Sequence, residues 1–81
     1  MFLMETNVVV PLAELFGKRI QQIRKGMHLT QSEFAELIGF HRTFIGQVER
    51  AEKNVTLKTI DQICKRLNMT IEELFDFSKL K

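Results

Sequence analysis

Leu12, Leu15, Phe16, Ile20 and Ile23 recur at the spacing of one helix face and predict a first helix from Leu12 to about Lys25. Gly17 weakens its interior by roughly 1 kcal/mol relative to alanine, which allows a regular start as late as Lys18. Gly26 is expected to end it. Thr30 followed by Glu33 forms a capping box, with a hydroxyl for an orphan helix N–H and a carboxylate reaching back. A short second helix then runs from about Gln31 to Ile38, with Phe34, Ala35 and Ile38 on one face. Gly39 stands where that helix must stop and bend, because a left-handed backbone costs least at glycine. A third helix follows from about His41 to Arg50, its apolar stripe being Phe44, Ile45 and Val48.

Thr56 is a plausible N-cap for a fourth helix carrying Leu57, Ile60, Ile63, Cys64 and Leu67 as one continuous apolar face. Thr70 and Glu73 repeat the capping box and start a short fifth helix with Ile71, Leu74 and Phe75. The expectation is an all-α, compact five-helix domain over residues 12–77. Residues 1–11 are an N-terminal arm and 78–81 a tail, with the end DFSKLK expected to fray. Met1 to Val10 is apolar and β-prone, and Pro11 suits a first helical position. Disorder, folding back on the core and pairing with a second copy all stay open for this arm.

Composition narrows the function classes. A chain of 81 residues is one domain near the lower limit for an unstapled core. One Cys excludes an intramolecular disulfide and a Cys-rich metal site. No apolar run approaches a bilayer span, and MFLMETNVVV lacks the basic start and cleavage site of a signal peptide, so a cytoplasmic protein is expected. The net charge of +2 is mild, so any binding to DNA must rest on placed charges rather than bulk attraction. About thirty residues follow the third helix, too few for a ligand-sensing domain, and no small-molecule ligand or cofactor is expected. No acid/base pair, nucleophile–base set or phosphate loop suggests an enzyme. Cys64 reads as a small core residue and His28 as a solvated loop residue, and no metal site is supported.

Two short helices joined by a glycine turn make a helix-turn-helix. Side-chain sizes sharpen that: the steep crossing needs a small contact residue, Ala35, with Ile45 and Val48 opposite. This pattern resembles the helix-turn-helix of lambdoid phage repressors and the small bacterial regulators related to them. The resemblance extends from about Phe16 to Phe75, and FHRTFIGQVERAEKNVTL is similar to the controller proteins of restriction–modification systems. One departure is Ala51, where that family usually has Gly at the end of the recognition helix. Alanine resists positive φ there, so the helix should end differently or carry strain.

With Ile45 and Val48 inward, Arg42, Thr43, Gly46, Gln47 and Arg50 face outward. Arg can donate two bonds to guanine, Gln can pair with adenine, and a Thr methyl can touch thymine. The resemblance implies that Arg42, Thr43 and Gln47 contact bases, and Gly46 would let the backbone approach closely. It also implies that Gln31 holds a phosphate at the N-terminus of the second helix, with Thr30 beside it as a further phosphate contact. His41, Arg50, Lys53, Asn54 and Lys58 are candidate phosphate contacts, and His41 is equally an N-cap. Arg24 and Glu49 are expected to form a structural ion pair, as in lambdoid repressors. Glu33 and Glu36 match an acidic patch that touches RNA polymerase in some relatives.

A single short helix reads only a few base pairs, so a homodimer on a pseudo-palindrome is expected. Its surface is assigned to Ile71, Leu74, Phe75 and Phe77, with Leu80 beside them. The resulting reading is a sequence-specific regulator of transcription on double-stranded DNA. The rival is a protein-interaction module, such as an antitoxin or adaptor, which should show apolar anchors on the outward face of the third helix.

Overall fold

A computed structural model of the chain describes residues 11–80. They form α1 (Leu12–Gly26), α2 (Gln31–Ile38), α3 (Arg42–Glu49), α4 (Leu57–Leu67) and α5 (Ile71–Leu74). The helices enclose a core of Phe16, Ile20, Phe34, Ala35, Ile38, Ile45, Val48, Ile63 and Leu74. Each of the larger side chains contributes roughly 1.5–3 kcal/mol by leaving water. α3 packs against both α1 and α2, α2 against α4, and α4 against α5. No helix among the described residues is long and apolar enough to cross a membrane.

Local chemistry starts these helices. Thr30 accepts from the Glu33 N–H while Glu33 accepts from the Thr30 N–H, and Thr70 and Glu73 do the same for α5. Thr56 caps α4 by accepting from the Thr59 N–H. Orphan carbonyls at the helix ends are met from other elements. Gln62 and Arg66 of α4 donate to Ile38 O and Leu37 O at the end of α2. Arg19 of α1 donates to Glu73 O at 2.6 Å and Leu74 O at 3.1 Å, fastening α5 to α1. Gly39 takes φ +82°, the left-handed stop that the turn between α2 and α3 requires.

α1 starts at Leu12, as the apolar spacing predicts, and the later start at Lys18 that Gly17 allows is not taken; Gly17 is a packing contact. A Cβ at Gly17 would lie 2.4 Å from Val48 O, so its absence lets α1 cross the end of α3 at backbone distance. α1 ends at Gly26, as expected, and His28 at φ +60° makes the turn that follows. That turn is set by Arg24, whose backbone O accepts from Leu29 N–H and whose Nη1 donates to Leu29 O. Leu57 is 85% exposed instead of joining the apolar face of α4. In the described part of the tail, Leu80 N–H donates to Phe77 O, and Leu80 lines a shallow cavity with Lys18, Gln22 and Lys25 of α1. Residues 1–10 of the arm and Lys81 of the tail lie outside the described residues.

Candidate nucleic-acid interface

α3 is short and opens on His41, whose Nδ1 accepts from the Thr43 N–H at 3.0 Å. His41 therefore serves as an N-cap, a role that needs an unprotonated Nδ1. The inner face of α3 is Ile45 and Val48, both buried, and half-buried Phe44 stacks at 5.1 Å against Phe40 of the preceding turn. Ala35 of α2 is also buried at this contact, where a longer side chain would separate the two helices.

The angle of α3 is held by one carboxylate. Glu49 Oε2 accepts from Arg24 Nε at 2.6 Å, and Oε1 accepts from Arg24 Nη2 and Gln31 Nε2, each at 3.0 Å. Arg24 comes from the end of α1, Gln31 from the start of α2 and Glu49 from the end of α3, so three elements meet on it. The Glu49 side chain is 3% exposed and that of Arg24 11%. Burial pushes the Glu49 carboxyl up, but hydrogen bonds from Arg24, Gln31 and Gln21 and the Arg24 charge outweigh it, leaving its pKa below the usual range. The hydrogen bond to Glu49 raises the Arg24 guanidinium above its ordinary value, against the opposing effect of burial.

Outside this clasp lies a polar notch of about 220 Å³ lined by Gln31, Arg42, Thr43, Gly46 and Arg50. Arg42 and Thr43 are exposed and Gln47 is half-buried. Gly46 lies on this outer side as expected, but it is buried beneath the side chains of Arg50 and Gln31. A Cβ there would stand 3.1 Å from Arg50 Nη1 and 3.6 Å from Gln31 Oε1. Gln31 is partly committed as well, since its amide nitrogen serves Glu49 and only Oε1 turns toward the notch. Arg50 is paired with Glu52, and the charge and hydrogen bonds between them move each away from neutrality: Arg50 up, Glu52 down.

The remaining predicted site residues are scattered. Lys53 and Asn54 are exposed at the rim of a different cavity, an apolar groove of about 270 Å³ that includes Leu12, Leu57, Ile60 and Phe75. Thr30 is exposed, with its oxygen engaged as the cap of α2. Glu33 and Glu36 are exposed on α2, Glu33 with one oxygen held by the Thr30 N–H. Leu74 is fully buried in its own monomer and is withdrawn from the dimer surface, whereas Ile71 is 48% exposed.

Two residues at this interface were not anticipated from the sequence. Gly17 was legible only as a helix weakener, yet Gly17, Gln21 and Arg24 follow i, i+4, i+7 spacing and so share the face that meets α3. Glu52 gave no signal, because its pairing with Arg50 depends on the turn at Ala51. Ala51 takes φ +61°, so α3 does end in the left-handed geometry that alanine resists, at a cost of about 1–2 kcal/mol.

Residues 20–74 match the helix-turn-helix family. The chain belongs to that family. Within it, the chain is similar to control protein C.SmaI of Serratia marcescens, at 39% identity over 70 residues, covering 86% of this chain and 83% of that protein. Control protein C.BamHI of Bacillus amyloliquefaciens is 36% identical over 67 residues, covering 82% of this chain and 83% of the other. The crystal structure of the restriction-modification controller protein C.AhdI from Aeromonas hydrophila superposes with a TM-score of 0.70 at 35% identity. That match spans 78% of this chain and 96% of the controller. As a helix-turn-helix protein of the controller type, the chain has α3 in the position of the recognition helix, and the notch lies on that helix.

Proposed function

We propose that this helix-turn-helix protein is a sequence-specific regulator of transcription that binds double-stranded DNA and acts on restriction–modification genes. The observation that carries this reading is the polar outer face of α3, held at a fixed angle by the Glu49 clasp. Arg42 and Thr43 project from the first turn of α3, the end of the helix that enters the major groove in this motif. A protein-binding version of the fold would present apolar anchors on that face, and the exposed positions are Arg42 and Thr43 instead. The mild net charge of +2 fits a protein whose affinity rests on placed groups. Arg42→Ala is expected to relax preference at one base pair in each half-site, at about 1–3 kcal/mol of discrimination. Equal preference in the variant and the parent, measured on duplexes mutated one base pair at a time, would remove Arg42 from the reading set.

A few base pairs do not single out a site, so the proposal includes a homodimer on half-sites about one helical turn apart. Exposed Leu12 and Leu57 line an apolar groove that includes Phe75, and Ile71 is exposed on α5, giving an apolar face that no other element among the described residues covers. We assign the second copy to this face, which keeps Ile71, Phe75 and Phe77 from the sequence reading and drops Leu74. Sedimentation at micromolar concentration should give a dimer, and Leu57→Asp should shift it to monomer. A wild-type protein that sediments only as monomer contradicts the assignment.

A further inference from the structure

Glu52 has no part in the reading of α3 as a DNA-contacting helix, yet it holds one of the side chains on that face. Arg50 donates from Nε to Glu52 Oε2 at 2.9 Å and from Nη2 to Oε1 at 3.1 Å, a two-bond fork. The third nitrogen, Nη1, lies over Gly46, the one place on α3 where no Cβ would crowd it. Ala51 between the two residues takes φ +61°, and the Glu52 N–H donates to Gln47 O at 2.8 Å. That turn folds Glu52 back along the helix end so that residues two apart meet on one side. Both side chains are more than half exposed, so the pair adds little to folding. The left-handed Ala51 is the end of α3, where the Ala51 N–H donates to Val48 O and the Glu52 N–H to Gln47 O, so what the exposed pair adds is the placement of Arg50 on the outer face of α3.

We propose that Glu52 is a positioning residue for sequence discrimination. It occupies the Nε–Nη2 edge of Arg50 and neutralises its charge, leaving Nη1, in the notch, as the side that meets DNA. An arginine without a counter-charge clamps any phosphate within reach and adds affinity without sequence preference. One already paired along an edge presents a fixed donor to acceptors in the groove, such as guanine O6 and N7. Arg50 thereby moves from the general phosphate contact expected from the sequence to a contact that depends on the site. This inference rests on the DNA-binding reading above.

The test uses Glu52→Gln, which keeps the shape and removes the charge, on a duplex selected by the wild-type protein and on a scrambled duplex. Across a salt series, affinity for the scrambled duplex should rise severalfold and its salt dependence should steepen by about one phosphate contact. The ratio of selected to scrambled affinity should fall severalfold. In an Arg50→Ala background, Glu52→Gln should leave that ratio unchanged. An unchanged ratio in the single variant, or the same fall without Arg50, overturns the proposal. A wild-type protein that prefers no duplex overturns the DNA reading itself, which is a distinct outcome.

Discussion

Arg24→Ala is expected to destabilise the folded protein by about 3–5 kcal/mol at neutral pH, because it strands a carboxylate that is almost completely buried. A domain of this length has a total stability of roughly 4–12 kcal/mol, so the variant should be partly unfolded or close to it. Gln31 and Gln21 would remain against Glu49, and both are neutral donors. The pH dependence carries its own signature. In the wild type the Glu49 carboxyl has a lowered folded pKa, so its contribution is complete above the unfolded value of about 4.3 and is lost as pH falls through the folded value. In Arg24→Ala the charge and the hydrogen bonds of Arg24 are gone, burial becomes the largest effect, and the carboxyl is expected to be pushed up. A raised folded pKa makes the variant recover stability as it is acidified from neutrality. Urea unfolding from pH 7 toward pH 4 should therefore show the gap between variant and wild type closing. Equal midpoints at pH 7 would contradict the role assigned to the clasp.

Gly17→Ala is the second large effect and acts through sterics alone. The new Cβ would meet Val48 O at 2.4 Å and Glu49 O at 3.0 Å, and both are backbone atoms that cannot rotate away. Helix propensity favours alanine by roughly 1 kcal/mol, but separating two packed helices costs about 1–3 kcal/mol or more. The net change should be destabilising, and it displaces the end of α3 together with Glu49. Operator affinity should fall in the fraction that remains folded. Gly26→Ala is the matched control, since nothing lies within 4 Å of that Cβ and the same propensity gain should appear as added stability. A Gly17→Ala protein as stable as Gly26→Ala would show that α1 and α3 are not in backbone contact.

These two positions also show which parts of the molecule were legible beforehand. The unit from Thr30 to Val48 could be read because its signals are local: a cap three residues from its partner, a turn glycine, and small and branched residues at fixed spacing. Arg24 and Glu49 were legible only through the resemblance to lambdoid repressors, since 25 residues separate them. Gly17 and Gly26 look alike in one dimension, and only the crossing of α1 over α3 makes one indispensable and the other free. Leu57 fits the apolar period of α4 but lies at its first turn, beyond the edge of the core, so periodicity placed it inside and packing left it out. Leu74 reversed in the other direction, because the clamp of Arg19 on the α5 carbonyls draws that helix against the core. In the notch, chemistry predicted Arg42 and Thr43, whereas the covering of Gly46 depends on where Arg50 folds, and Glu52 decides that.

The central claim is that the outer face of α3 reads a DNA sequence on behalf of a symmetric dimer. Selection of the full chain against random double-stranded DNA tests it directly. The expected result is a two-fold symmetric motif with half-sites about one helical turn apart, and loss of preference at one position per half-site when Arg42 is replaced by alanine. Recovery of no enriched sequence would contradict it.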